Sequence, residues 1–147
     1  MIAQPRHQGK PFVVCFADMD DLKTVNDTYG HAEGDFAIRL AAECLKHVLG
    51  EGAVIGRMGG DEFAAILPAA PDVSLASLAE RKERFIERFN ASQEKPYRFG
   101  VSIGMHECAC CNAYDLGAAL DQADDLLYEE KRDKKNKRKD QELLARG

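Results

Sequence analysis

The pattern of apolar and polar residues along the chain predicts strands alternating with helices. A continuous apolar run at 12–17 has the composition of a strand that is buried on both faces, and it predicts a strand over 12–18. Two more strand patterns flank a Gly-Gly pair at about 53–67 and are expected to form a hairpin, and the alternating run at 97–104 predicts a fourth strand. The order of elements predicts an α/β protein in which helices pack on a mixed central sheet.

Four helices are predicted between and after these strands, at about 21–29, 33–49, 73–90 and from 115 into the C-terminal tail. In the last three, apolar residues recur every three or four positions, as on one face of a helix. The residues expected to face the core are Phe36, Leu40, Ala41, Cys44, Leu45, Val48 and Leu49, then Leu75, Leu78, Phe85 and Phe89, and finally Leu116, Leu120, Ala123 and Leu127. Asp121, Asp124 and Asp125 on the last helix are expected to lie at the surface.

Length and composition favour one globular domain over residues 1–147, with 45% hydrophobic and 31% charged residues. No apolar run approaches the length of a membrane span and no secretory leader is visible, so we expect a cytoplasmic domain without membrane insertion. Seven of the 20 basic residues lie between Lys131 and Lys139. The region 132–147 is interpreted as a basic helix end or tail. Since the rest of the chain is acidic and no aromatic residues interleave this run, no nucleic-acid partner is expected.

The chain has five cysteines. Cys15 and Cys44 fall within predicted core elements. Cys108, Cys110 and Cys111 are clustered after a predicted strand and raise the alternative of a zinc site. Reduced thiols remain the favoured interpretation, because the spacing is not CxxC and no second pair of ligands follows.

Carboxylates are concentrated at two points where predicted strands end. Asp18 to Asp21 contains three acids in four residues directly after the first strand, and Gly59 to Glu62 places two acids after two glycines at the hairpin tip. Buried carboxylates are costly unless they are neutralised, and carboxylates beside an open backbone suit a hard divalent cation that carries phosphates. The alternatives are a helix capped by Asp20 or Asp21 and an ordinary solvated turn.

Four motifs in order resemble the GGDEF family, the bacterial diguanylate cyclases, which join two GTP molecules into cyclic di-GMP. The motifs are Asp18-Met19-Asp20-Asp21-Leu22-Lys23-Thr24-Val25-Asn26-Asp27, similar to DxDxFKxxND with Leu22 for the usual aromatic residue; Gly30-His31-Ala32-Glu33-Gly34-Asp35, similar to GHxxGD; Arg57-Met58-Gly59-Gly60-Asp61-Glu62-Phe63, the signature itself; and Ala123-Asp124-Asp125-Leu126-Leu127-Tyr128-Glu129-Glu130-Lys131, similar to ADxALYxAK. Each motif alone is weak, but together they cover the chain from about Phe12 to Asn136.

The resemblance implies the palm-type fold of nucleotide cyclases and polymerases, and a role for each matching residue. The expected metal ligands for Mg²⁺ (or Mn²⁺) are Asp18, the Met19 carbonyl, Asp61 and Glu62. Glu62 is also the candidate acceptor of the hydroxyl proton, and Gly59 and Gly60 let the ribose and α-phosphate approach. The expected substrate contacts are Lys23, Lys131 and Lys135 to phosphates, and Asn26 and Asp35 to guanine.

The chain departs from the family pattern in three places. Lys135 stands where the family has arginine, after Lys134 in place of glycine, so the charge is kept but the bidentate fork is lost. Gly50 and Ala53 replace the arginine and aspartate of the product-inhibition site, so inhibition by cyclic di-GMP through that site is not expected. Residues 1–10 lack the family's opening motif, so we expect a trimmed piece of a larger protein with an upstream sensory domain.

The expected function is therefore an Mg²⁺-dependent diguanylate cyclase that acts as a homodimer, because one domain binds one GTP. A catalytically weak or inactive GTP-binding regulatory module is the alternative. An interaction domain without a ligand is the third hypothesis.

Overall fold

A computed structural model describes residues 11–69, 74–108 and 113–146, with the side chains of 113–115 and 146 left aside. Strands and helices follow one another as the hydrophobic pattern predicts. They are β1 (Phe12–Met19), α1 (Leu22–Tyr29), α2 (His31–Leu49), β2 (Val54–Gly59), β3 (Glu62–Pro68), α3 (Leu75–Ser92), β4 (Val101–Cys108) and α4 (Ala113–Arg146). No helix in these ranges is both long and apolar enough to cross a membrane.

The four strands form one sheet in the order β2-β3-β1-β4. The predicted α/β class, with helices packed on a central sheet, is confirmed. The sequence predicted a mixed sheet, whereas the three described ladders are all antiparallel. The reason is that each helical connection skips one strand position, so β1 and β2 are separated by β3, as in a split βαβ arrangement.

The central strand β1 contributes side chains to both faces of the sheet, because successive residues point in opposite directions. Val13, Cys15, Ala17 and Met19 belong to a large buried cluster with residues of α2 and α3. Val14, with Phe12 and Phe16, belongs to a smaller cluster with α4. Asp18 continues this second series, so its side chain is directed to the face that α4 covers.

α4 approaches the sheet closely at Gly104. A Cβ atom at this glycine would lie 1.9 Å from the Ala123 carbonyl oxygen and 2.3 Å from the Leu127 nitrogen. Ala123 and Leu127 are buried, and Leu116 and Leu120 pack beside the cluster, as predicted. None of the described side chains from 128 to 145 is buried, so apolar packing holds α4 only up to Leu127.

The fourth strand begins later than predicted, at Val101 rather than 97, and runs to Cys108. The side chain of Asn90 donates to the Phe99 carbonyl and accepts from the Phe99 amide, at 2.9 and 2.8 Å. These bonds take the place of a strand ladder before Val101, which residue alternation alone does not reveal.

Cys15 and Cys44 are buried, and burial raises the pKa of each thiol to about 12. Such thiols are unreactive at neutral pH, which agrees with structural cysteines. Cys108 is also buried, whereas Cys110 and Cys111 lie outside the described residues, so the zinc alternative stays a hypothesis.

Candidate functional site

Two neighbouring strands bring three carboxylates together. Asp18 lies opposite Glu62 in the β1–β3 ladder, and the Met19 amide donates to the Asp61 carbonyl at 3.1 Å. Residues directly opposite in antiparallel strands have Cβ atoms about 5 Å apart. One carboxylate oxygen from each of Asp18, Asp61 and Glu62 therefore lies within 4.8 Å of the others.

The environment of Asp18 fits a divalent cation. Its Oδ2 atom accepts from Lys131 Nζ at 2.5 Å, whereas Oδ1 is buried and has no hydrogen-bond partner in the described chain. Burial raises the pKa of Asp18 to about 6, with the Lys131 ammonium opposing and the adjacent Asp61 adding to the shift. A buried acceptor without a partner, beside two more carboxylates, is the oxygen-rich donor set that Mg²⁺ and Mn²⁺ prefer. The role of these residues and of the Met19 carbonyl as ligands stays a prediction.

The hairpin turn next to this cluster has an open and braced backbone. Gly60 has φ +33°, and a Cβ atom at either Gly59 or Gly60 would meet no atom of the described residues within 4 Å. The Arg57 guanidinium donates twice to the Gly60 carbonyl, at 2.6 and 2.9 Å. The turn thus leaves room for a ligand while Arg57 holds its shape.

The cations of α4 face the strand ends. The ion pairs are Lys131 with Asp18 at 2.5 Å, Lys134 with Asp20 at 2.7 Å and Arg138 with Asp21 at 2.9 Å. A cavity of about 310 Å³ lies among them, lined by Asp20, Asp21, Lys131, Lys134, Lys135 and Arg138. Within the described chain Lys135 has no ion-pair partner, so its charge is available to an anion.

Three site residues were missed by sequence reasoning. Ser102 is fully buried and donates to Asp20 Oδ1 at 2.7 Å. Lys134 was noted only as a replacement for glycine, and Arg138 not at all. Their four-residue spacing, which places both on one helix face, was the available signal.

The alternative that Asp20 or Asp21 caps α1 is wrong. Asp21 occupies the N-cap position, but its φ of 59° is left-handed and its side chain makes no capping bond. The carboxylates of Asp20 and Asp21 are instead paired with Lys134 and Arg138 of α4.

The residues predicted to contact guanine lie at the α1–α2 junction. A Cβ atom at Gly34 would lie 1.7 Å from Asn26 Oδ1, so the absent side chain makes room for the Asn26 amide. Asp35 follows directly and is exposed. Their role in base recognition stays a prediction.

Lys23 is not among the residues that line the 310 Å³ cavity. It is exposed and pairs with Asp27 at 2.8 Å, one helical turn along α1. Its predicted phosphate contact therefore has less structural support than those of Lys131 and Lys135.

The predicted surface acids Asp121, Asp124 and Asp125 are exposed, as expected. Gly50 ends α2 with φ +83°. Neither Gly50 nor Ala53 carries a charged side chain, and the expectation that cyclic di-GMP does not inhibit through this site stays a prediction.

Comparison with known proteins agrees with this geometry. Residues 1–137 match the model of the family described as diguanylate cyclase, GGDEF domain. The diguanylate cyclase DgcP of Escherichia coli is 33% identical over 130 residues, covering 88% of the chain and 38% of the relative. The diguanylate cyclase VdcA of Vibrio cholerae is 33% identical over 130 residues, covering 85% of the chain and 38% of the relative. The chain thus spans less than half the length of these relatives.

The fold agrees as well. The crystal structure of the GGDEF domain of DgcB from Caulobacter crescentus, in complex with c-di-GMP, matches with a TM-score of 0.67 at 27% identity, over 84% of this chain and 74% of that one. The antiparallel sheet and its covering helices are thus the palm-type fold of nucleotide cyclases. With its signature turn, carboxylate cluster and family match, the chain belongs to the GGDEF domain family of diguanylate cyclases.

Proposed function

We propose that this domain condenses two GTP molecules into cyclic di-GMP and pyrophosphate, with Mg²⁺ or Mn²⁺ as the cofactor. The observation that carries the proposal is that a cluster of carboxylates lies beside a cavity lined by cations. The carboxylates of Asp18, Asp61 and Glu62 lie together, and Lys131 connects them to the cationic cavity. A nucleoside triphosphate with its bound cation has the complementary arrangement, anionic phosphates beside a divalent charge.

The residues of the chain have separate roles in this reaction. Lys131 and Lys135 hold the phosphates, and the open turn at Gly59 and Gly60 admits the ribose and the α-phosphate. Asp18, Asp61 and Glu62 would hold the divalent cation, which would supply charge neutralisation at the triphosphate and favour ionisation of the 3′-hydroxyl. Glu62, the exposed member of the cluster, accepts the hydroxyl proton. Positioning and electrostatic stabilisation supply most of the rate enhancement in such transfers.

Two domains must face each other for the full reaction. Each 3′-oxygen bonds to the α-phosphorus of the other nucleotide, and each α-phosphorus releases one pyrophosphate. The described chain contains one such carboxylate cluster, so each domain supplies one GTP. The active form is therefore a homodimer, and activity rises steeply with protein concentration. An upstream sensory domain that brings two copies together in the cytoplasm belongs to the same proposal.

Asn26 and Asp35 are proposed to select guanine. The Asp35 carboxylate accepts from the guanine N–H groups, whereas adenine presents no matching donors and leaves the carboxylate unpaired. The control is Asp124→Ala, which removes an exposed carboxylate of α4 and leaves the α1–α2 junction unchanged. Calorimetry is expected to show preference for GTP over ATP in the parent and in Asp124→Ala, and loss of this preference in Asp35→Ala. Equal binding of the two nucleotides by the parent excludes this role.

The alternative function is a GTP-binding regulatory module without turnover. It is favoured by the position of Lys23 outside the cavity and by lysine rather than arginine at position 135.

Incubation with GTP and Mg²⁺ at high protein concentration, followed by chromatography and mass spectrometry, decides between the two. Cyclic di-GMP as product confirms the cyclase. Calorimetric binding of GTP without product supports the regulatory module, and absence of binding contradicts both.

A further inference from the structure

Glu130 and Lys134 bind the outer edge of β4 in place of another strand. In the described sheet β4 pairs only with β1. On the opposite edge, the Ile103 amide donates to Glu130 Oε2 at 2.9 Å, and Lys134 Nζ donates to the Val101 carbonyl at 2.9 Å. The two side chains are one helical turn apart on α4, and the two backbone groups are two residues apart on β4. They form a two-point polar attachment between helix and strand.

A buried lysine from another helix completes this attachment. Lys82 of α3 is 4% exposed and donates to Glu130 Oε1. A buried ammonium requires a charged or hydrogen-bonding partner, and a carboxylate that already accepts from a backbone amide has little freedom to move away. Glu130 is therefore held by α3 and β4 together.

The attachment lies in the part of α4 that has no buried apolar side chain. Apolar packing of α4 ends at Leu127, and the phosphate-binding residues proposed for this helix begin four residues later. Lys131 follows Glu130 directly, turned by about 100° around the helix axis. With Glu130 fixed on β4, this rotation directs Lys131 to the end of β1, where its Nζ atom lies 2.5 Å from Asp18 Oδ2.

From these contacts we infer that Glu130, held by Lys82 and the Ile103 amide, is a positioning residue for the phosphate-binding lysines of α4. It sets the rotation of the helix beyond its last apolar contact and so places Lys131 at the carboxylate cluster. The inference rests on the proposed function for its consequence in GTP binding, but the placement of Lys131 is measurable without any nucleotide.

Two double variants separate positioning from simple stabilisation. Lys82→Met with Glu130→Ala removes the Glu130 contacts to β4 and α3 without leaving a buried charge unpaired, and it keeps the Lys134 contact to the Val101 carbonyl. Lys82→Met with Glu130→Gln removes the same charges but keeps a carbonyl acceptor for the Ile103 amide. Glu129→Ala, an exposed neighbour on the same helix, is the control.

The first measurement is acylation of lysines in the folded protein, quantified by peptide mass spectrometry as the rate at Lys131 relative to exposed Lys139. The Ala double variant is expected to raise this ratio several-fold, with the Gln double variant and Glu129→Ala close to the parent. Global destabilisation would raise this ratio as well, so the rate at Lys95, whose side chain is 23% exposed and paired with Glu33, is the reference for it. Local release of Lys131 leaves the rate at Lys95 unchanged, whereas global unfolding raises it too. An unchanged ratio in a folded Ala double variant overturns the inference.

The second measurement is calorimetric affinity for GTP with Mg²⁺. The Ala double variant is expected to bind about tenfold more weakly, the size of one charge-assisted contact, and the Gln double variant to recover most of the loss. Parent-like affinity in the Ala double variant contradicts the positioning role. If the parent itself does not bind GTP, the proposed function fails, and the labelling ratio alone decides whether Glu130 positions Lys131.

Discussion

The two sides of the candidate site are built by different means. The carboxylate side is fixed by backbone pairing, because Asp18 and Glu62 are ladder partners and the Asp61 carbonyl bonds to β1. The cationic side depends on long side chains from α4, in which no described side chain from 128 to 145 is buried. Strand register fixes the positions of the carboxylates relative to one another. The lysines are instead held beside the carboxylates by side-chain contacts of α4.

This difference predicts different responses to mutation. Changes on the carboxylate side should remove charge from a fixed geometry and leave the fold intact. Changes on the cationic side should alter both the stability of the fold and the position of the α4 lysines. The effect should be larger where the changed group is more deeply buried.

The largest effect is expected from Asp61→Ala. Loss of a carboxylate from the cluster should lower cyclic di-GMP formation by at least about a hundredfold, because charge compensation at the triphosphate is lost. The thermal midpoint should change little, since the Asp61 side chain is only partly buried. Product formation measured beside Asp124→Ala checks this, and near-parental turnover rules out the metal-ligand assignment.

On the cationic side the buried attachment should dominate stability. Lys82→Ala leaves Glu130 with only the longer ion pair to Lys134 at 3.6 Å. We expect a loss of about 2 kcal/mol in the free energy of unfolding, reduced from the fully buried case because Glu130 keeps this partner and some solvent contact. Urea denaturation measures the change. The Lys82→Met, Glu130→Gln double variant is the control and should unfold closer to the parent; equal losses in both would place the cost in packing rather than charge.

Asp18→Asn should stabilise the metal-free protein at high pH. The pKa of Asp18 is raised from 3.8 to about 6 by burial. Stability associated with the neutral carboxyl is therefore present below pH 3.8 and lost as the pH rises through 6. At pH 8 the variant should gain about 1 kcal/mol over the parent, a value discounted for partial solvent contact.

Urea denaturation from pH 4 to pH 8, in the presence of a chelator, measures this difference. It should shrink toward pH 4, and Mg²⁺ should favour the parent instead. A variant that is less stable than the parent at pH 8 without metal contradicts the assignment.

The smallest effect is expected from Arg138→Gln. The Arg138–Asp21 pair joins side chains that are 60% and 47% exposed, so its loss should cost no more than about 0.5 kcal/mol. Chemical denaturation at low and high salt tests this, since the small difference should vanish as salt screens the pair. A loss in the free energy of unfolding comparable to that of Lys82→Ala would show that the outer cations of α4 also stabilise the fold.

Sequence reasoning located the carboxylate side because its geometry follows from local patterns. A buried strand ending in acids and a Gly-Gly hairpin ending in acids meet when the hairpin pairs with the strand. The pairings of Lys134 and Arg138 join residues 114 and 117 positions apart through side chains alone, and no periodicity encodes them. The start of β4 was misplaced for a similar reason, because the Asn90 side chain replaces the ladder that alternation at Tyr97 to Gly100 predicts.

The backbone contact of Gly104 with α4 makes the helix a lever with a fixed pivot. From the pivot near 123–127 the helix extends about 30 Å to residue 145, and Lys131 lies only about 9 Å along it. A tilt that displaces the exposed end by about 3 Å therefore moves Lys131 by about 1 Å. Because Lys131 lies close to the pivot, movements of the far end of α4 displace it only slightly. A methyl group added at Gly104 would move the pivot itself.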